Sequence, residues 1–232
     1  MVARPAGGGA DVCLPASAAV ELPHTIKEND AACLPLTYLT AHELLHHAAR
    51  VHPGERVLVH GAAGGVGTAL LDLGRQLGAD MYGVAAPRDH TLVEEYGGQP
   101  VQRGRQALPR ADVVLDMVGG HGLRASWQSL KPGGRLVSYG FLAPDASPIR
   151  DLLQLRVWNA LPNGRRVTFY RLSTNARQHP ARIRTTLHTL LSNLAEGGLH
   201  PRIAACVPLD KPAQAHRTVD DSTARGKVLL IP

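Results

Sequence analysis

The stretch from Arg56 to Gly67, RVLVHGAAGGVG, restricts the fold more than any other part of the chain. Its first half, Arg56-Val57-Leu58-Val59-His60, is short, apolar and rich in β-branched residues. Pro53-Gly54 precedes it and Gly61 follows it, the pattern of a strand buried on both faces. Gly61, Gly64, Gly65 and Gly67 come next, and then TALLDLGRQLGA, in which Ala69, Leu70, Leu73 and Leu77 recur at helical spacing. A strand that passes through a glycine turn into a helix presents backbone N–H groups and the positive end of a helix dipole, the arrangement that holds a dinucleotide pyrophosphate. The strict G-x-G-x-x-G spacing is broken at its first position, where Ala62 stands. Taken alone, the stretch therefore leaves open a glycine turn inside an α/β core with no ligand.

The alternation of strand and helix continues. Strands are expected at 80–85, weakly around Val101, at 112–117, at 135–139 and at 167–170. Between them lie helices at 89–96, ended by Gly97-Gly98, and at 122–130, stopped by Lys131-Pro132-Gly133-Gly134. Strands separated by helices of this length imply right-handed crossovers, hence an α/β fold with a doubly wound parallel sheet. Upstream, residues 1–22 are rich in Gly, Ala and Pro, with one strand-like piece at 10–14. A helix-start signal lies at Lys27-Glu28-Asn29-Asp30, and a second helix starts near Thr37 to Thr40 and runs to Arg50. Downstream, 141–163 reads as irregular, with Leu152, Leu153 and Leu155 as a short apolar patch. Pro180 opens a long helix with Ile183, Leu187, Leu190, Leu191 and Leu194 on one face and Gly197-Gly198 as its stop. Two strand-like pieces, 203–207 and 227–231, follow the sheet, with a polar stretch, 208–225, between them.

Composition narrows the function classes. A chain of 232 residues with 44% hydrophobic and 19% charged residues has the make-up of a globular protein with room for a sizeable core. No apolar run reaches the length of a membrane span, and the N-terminal residues lack the continuous apolar segment of a signal peptide, so a cytoplasmic protein without a membrane partner is expected. Cys13, Cys33 and Cys206 are scattered, odd in number and without C-x-x-C spacing, which argues against a disulfide framework and against a cysteine zinc site. The net charge of +6 raises the question of nucleic acid. The basic residues, however, fall in small separate clusters (Arg103, Arg105 and Arg110; Arg165 and Arg166; Arg182 and Arg184). Aromatic residues are only 4% of the chain and do not interleave with them, so a solvated basic surface is expected and no nucleic-acid partner.

In a doubly wound dinucleotide fold the end of the second strand separates the two nicotinamide cofactors: an acid there bonds the ribose 2′-OH, whereas cations accept a 2′-phosphate. Ala85-Ala86-Pro87-Arg88 offers no acid and an arginine just beyond, which favours NADPH over NADH. Arg88 as a plain surface charge is the alternative, and Asp89 is available either to pair with Arg88 or to serve the ribose itself.

Five segments in order, LPLTYLTA, HPGERVLVHGAAGGVGTALLDLGRQLGA, DVVLDMVGG, LKPGGRLVSYG and AHR followed by RGKVLL, make the chain resemble the zinc-independent quinone oxidoreductase branch of the medium-chain dehydrogenase/reductase superfamily. The resemblance runs from Pro35 to Leu230. It implies a Rossmann domain at 23–200, with remnants of a truncated GroES-like catalytic domain at both ends: residues 1–22 as its last piece and 201–232 as its return strands, which would lack their usual sheet partners. It implies hydride transfer from NADPH to a quinone, enone or related small molecule, a homodimer, and a set of cofactor-binding residues. Thr40 matches a threonine near the nicotinamide ribose, and Ala63, Gly64, Gly65, Val66 and Gly67 match the pyrophosphate loop. Ala86 and Arg88 fall at the 2′-phosphate position, Arg88 one place before the usual lysine. Arg103 stands where relatives often carry a tyrosine near the adenosine phosphate, and Tyr139, Gly140 and Phe141 match the strand end that lines the nicotinamide. No catalytic side chain is identified, and no Ser-His-Asp arrangement is legible. A catalytically impaired NADPH-binding module acting through a partner or a dimer is the alternative.

One motif competes. His42-Glu43-Leu44-Leu45-His46 matches H-E-x-x-H, the helical zinc motif of metallopeptidases, and His52 extends it, although Ala49 replaces the glycine of the longer form. The chain holds twelve histidines, which makes accidental spacings easy, and Met81 and Met117 both fall in expected strands rather than in a methionine turn. Leu36 occupies the place of a ligand in zinc-dependent dehydrogenases. Solvated or partly packed helix histidines are therefore expected, with no metal ligand set.

Overall fold

A computed structural model of the chain describes residues 19–104, 107–220 and 224–232. The strand-like piece at 10–14 and most of the 1–22 segment lie outside these residues. The chain divides into two compact units, one formed by His42–Ala63 and Leu70–Arg171, the other by Met1–Ala41, Gly64–Ala69 and Leu172–Pro232.

The first unit carries a six-stranded sheet of β1 (Arg56–His60), β2 (Asp80–Ala85), β3 (Gln99–Gln102), β4 (Ala111–Asp116), β5 (Leu130–Ser138) and β6 (Arg166–Phe169). All neighbours pair in parallel, in the order β3-β2-β1-β4-β5-β6. This is the strand order of a doubly wound dinucleotide-binding sheet. Val57, Leu58 and Val59 of β1 are fully buried, as their unbroken apolar run requires of a strand covered on both faces. On one face Leu58, Val84, Val114, Leu136 and Val167 pack with Leu123 and Trp127 of α5 (Gly122–Ser129) and Leu155 of α6 (Pro148–Asn159). Trp127 stacks on Trp158 at 5.2 Å, and the Arg165 guanidinium lies over the Trp127 ring at 4.9 Å. The other face meets α3 (Gly65–Gln76) and α4 (His90–Glu95): a Cβ at Gly74 would collide with Met81, and one at Gly83 would come within 2.7 Å of Val93. Gly74 is thus where α3 approaches the sheet too closely for any side chain.

Several expectations are revised. The segment 141–163 is not irregular, since α6 fills Pro148–Asn159. Its apolar residues are spread around the helix, with Leu155 buried but Ile149, Leu153 and Val157 exposed, so no single-face period marks it; the Ser147-Pro148 start does. Lys131-Pro132-Gly133-Gly134 does not separate helix from strand, because β5 already begins at Leu130. Gly133 takes φ 75°, and the β4–β5 register shifts between Ala111 and Val113, so the segment is accommodated as an irregularity within the strand.

In the second unit α1 (Glu28–Ala31) leads to a π-helical turn, Leu34–Tyr38, with Pro35 in its first turn, so the helix expected from Thr37 begins earlier. It continues as α2 (Leu39–Glu43), where the chain passes at His42 into the first unit, and there as a second π turn, Leu44–Ala48. α7 (Leu172–Gln178), not foreseen, precedes α8 (Pro180–Ala195), whose Ile183, Leu187 and Leu190 are buried as expected. The strands β7 (Ile203–Pro208) and β8 (Lys227–Ile231) pair in parallel with each other, joined through α9 (Pro212–Asp220) inside the stretch read as merely polar.

Candidate functional site

The strand order reverses at β1, which has β2 on one side and β4 on the other, and ligands of such sheets bind outside the carboxyl ends at this point. Three polar side chains converge there. Ser126 Oγ donates to Asp116 Oδ2 at 2.6 Å and lies 3.0 Å from His60 Nε2, while Asp116 Oδ1 accepts from the backbone N–H groups of Val118 (2.7 Å) and Gly119 (3.0 Å). Burial pushes the His60 pKa below its ordinary value, against the pull of Asp116. These residues form a Ser-His-Asp cluster that the sequence reading did not find, but it is not wired as a nucleophile triad. The serine stands between the other two, and its proton goes to the carboxylate rather than to the imidazole.

Beyond His60, Gly61 has φ 69°, and a Cβ there would lie 2.6 Å from the Met117 sulfur, so the turn needs glycine twice over. Ala62 donates its N–H to Val84 O at 3.2 Å, and Ala63 closes this part of the turn. Gly64, Gly65, Val66 and Gly67 belong to the other unit. There Thr68 N–H donates to Gly64 O at 2.9 Å as the first intrahelical bond, so the N–H groups of Gly65, Val66 and Gly67 have no acceptor within α3. The Thr68 hydroxyl caps the same carbonyls, at 3.1 Å from Gly64 O and 3.0 Å from Gly65 O. Gly64 also bridges in parallel to Gly226, and a Cβ on Gly65 would press on Thr37 at 3.0 Å. Thr40, in this unit, is buried.

At the end of β2, Ala85 is buried and Ala86 is extended into a 3₁₀ turn, Pro87–Asp89. Arg88 is 59% exposed, and its Nε lies 3.8 Å from the carboxylate of the buried Asp89, so Asp89 pairs with the arginine. Arg103 follows β3 directly and donates its backbone N–H to Ala85 O at 2.8 Å. The two arginines expected to meet phosphate are therefore brought to adjacent strand ends, with no carboxylate closing β2.

At the end of β5, Tyr139 donates its backbone N–H to Asp116 O at 2.8 Å. Its hydroxyl is buried without a hydrogen-bond partner among the described residues, and burial, reinforced by Asp116, pushes its pKa up. Gly140 passes so close to β4 that a Cβ would lie 2.8 Å from Met117 O. Phe141 stacks on Phe169 at 5.0 Å. Tyr139, Gly140 and Phe141 thus sit beside the end of β4, next to Asp116.

The H-E-x-x-H residues lie on α2 and the π turn behind it. The His42 and His46 rings are 4.1 Å apart, and Glu43, fully buried, accepts from the Tyr170 hydroxyl at 3.3 Å. Burial, helped by His46 and His47, pushes His42 down to about 4.

A family model described as zinc-binding dehydrogenase matches residues 87–230, more than half of the chain. Among curated proteins, the chain is 30% identical over 243 residues to the synaptic vesicle membrane protein VAT-1 homolog of Rattus norvegicus, covering 96% of this chain and 60% of that protein. It is 30% identical over 234 residues to a 2-haloacrylate reductase of Burkholderia sp, covering 94% of this chain and 68% of the reductase. A crystal structure of a quinone oxidoreductase from Pseudomonas syringae pv. Tomato superposes with a TM-score of 0.79 at 26% identity, covering 94% of this chain and 69% of that one. The chain thus spans about 60% of the length of the VAT-1 homolog it matches. No helix among the described residues is long and apolar enough to cross a membrane.

Proposed function

The chain belongs to the zinc-binding dehydrogenase family of the medium-chain dehydrogenase/reductase superfamily, on its quinone-oxidoreductase-like branch, and from that premise we propose that it is a cytoplasmic reductase using NADPH, rather than NADH, to reduce a quinone, an enone or a similar conjugated carbonyl compound. The observation that carries the reading is the glycine turn between β1 and α3, set where the strand order reverses. Bound NADPH would supply the hydride, and that chemistry belongs to the cofactor.

The chain's residues bind and orient. Ala63, Gly64, Gly65, Val66 and Gly67 offer backbone to the pyrophosphate at the start of α3. Ala86 keeps the end of β2 free of a carboxylate, and Arg88 and Arg103 act as cations for the 2′-phosphate and the adenosine phosphate. Thr40 serves the nicotinamide ribose. Tyr139, Gly140 and Phe141 line the nicotinamide, and Ser126, by tying Asp116 to His60, fixes the ends of the two central strands beside it. Two relatives, a 2-haloacrylate reductase and a quinone oxidoreductase, agree with an electron-poor acceptor. In the same reading 23–200 is the dinucleotide-binding domain, 1–22 and 201–232 are parts of a catalytic domain, and the protein is a homodimer.

The test is to mix the purified protein with NADPH and a panel of quinones and enones. Acceptor-dependent oxidation of NADPH is the expected result. Binding of NADPH without oxidation by any acceptor would replace the enzyme with a non-catalytic cofactor-binding module acting through a partner, and no binding of NADPH or NADH would refute both.

A further inference from the structure

The histidine-rich helix ahead of β1 is not used by the proposed reduction, and it lies outside the residues matched by the family model. We propose that His42, Glu43 and His47 form a binding site for one divalent cation of the zinc class. One ligand atom from each of the three lies within 4.8 Å of the others, and Glu43 Oε1 is 3.6 Å from His47 Nε2. Ligand atoms around a tetrahedral zinc, at about 2.0–2.2 Å from the metal, stand roughly 3.3 Å apart, so an ion enters after a small turn of the exposed His47 ring.

The sequence motif and the side chains disagree about the second histidine. H-E-x-x-H nominates His46, four residues after His42. The chain, however, widens into a π turn at Leu44–Ala48, where Ala49 N–H bonds Leu44 O five residues back, and it is His47 that comes to Glu43. His46 instead sets its ring beside His42, at 4.1 Å and tilted by 31°. π turns of this kind are found at functional sites more often than their rarity predicts.

The chemistry of the set points to zinc rather than to magnesium or calcium. Two imidazoles and one carboxylate suit borderline first-row cations, whereas magnesium and calcium take oxygen ligands. His42 Nδ1 is buried with no hydrogen-bond partner among the described residues, so a ligand atom stands there without a competitor. Glu43 is fully buried, which keeps water off its carboxylate, and the Tyr170 hydroxyl, 3.3 Å from Oε2, orients it from behind. With Glu43 as a ligand no glutamate base remains, so the site is one of binding and not of peptide hydrolysis.

The test is calorimetric titration of zinc chloride into the full chain after chelator treatment, with metal content counted after dialysis. One zinc per chain is expected. His42→Ala and His47→Ala should each weaken binding at least about tenfold, in line with loss of a ligand or its support, while His46→Ala stays within about twofold. Glu43→Gln should also lose the ion, but it alters a buried side chain, so the decisive variant is His47→Ala at an exposed position, with its fold checked by circular dichroism. Absence of stoichiometric zinc in the wild type, unchanged affinity in His47→Ala, or a loss in His46→Ala equal to that in His42→Ala would each overturn the proposal. Zinc held by cysteines would survive His47→Ala and counts against it.

Discussion

Ser126 joins the two central strands at their carboxyl ends. Its hydroxyl has one proton, and the 2.6 Å bond to the fully buried Asp116 carboxylate, short and charge-assisted, claims it. His60 Nε2, 3.0 Å from the same oxygen, must then be the donor to Ser126, which fixes the neutral ring with its proton on Nε2. Ser126→Ala removes an acceptor from one buried group and a donor from another. It should lower the unfolding free energy by about 1–3 kcal/mol, read from the urea midpoint at unchanged slope. Thr189→Ala, which loses only an exposed bond to Thr185 O, should change it by less than about 0.5 kcal/mol. Equal effects would mean that the Ser126 network does not hold the strand ends.

At the scale of elements, what is local in the sequence was legible and what is long-range was not. β1 and β4 announce themselves as apolar runs closed by glycine or a polar residue, β2 as an apolar run closed by Ala86-Pro87, and α8 by its one-faced leucines. α6 carries its apolar residues around the whole helix, because Leu155 serves the core while Ile149, Leu153 and Val157 face outward. Lys131-Pro132-Gly133-Gly134 has the composition of a turn, yet it lies within β5, since pairing with β4 extends to Leu130. The same division runs through the candidate site. The glycine turn and Arg88 were readable from neighbours in sequence. The contact of His60 with Ser126 spans 66 positions, and the pairing of β1 with β4, which leads into α5, brings them together. The approach of His47 to Glu43 is not legible in H-E-x-x-H, because that motif assumes an α-helical turn where the chain makes a π turn.

At the scale of the molecule, the outward residues of α6 bear on the proposed homodimer. Ile149, Leu153 and Val157 are 84%, 62% and 55% exposed and recur every four residues, beside β6, the edge strand on that side of the sheet. A contiguous apolar stripe on a chain otherwise dispersed in charge is what an interface leaves on a single copy, and it supports the proposed homodimer. The wild type should have twice the mass of one chain by light scattering, and Leu153→Asp should reduce it to one. A monomeric wild type would contradict the homodimer.

The proposed reduction needs a cofactor at the carboxyl end of β1 with its 2′-phosphate near Arg88, and calorimetric titration of NADPH and NADH tests this most directly. The wild type should bind one NADPH per chain at least about tenfold more tightly than NADH, the size of one charge-assisted contact. Arg88→Ala should erase most of that difference by weakening NADPH alone. Failure of the wild type to bind either nucleotide would contradict the central claim, and equal loss of both in Arg88→Ala would contradict the assignment of the phosphate.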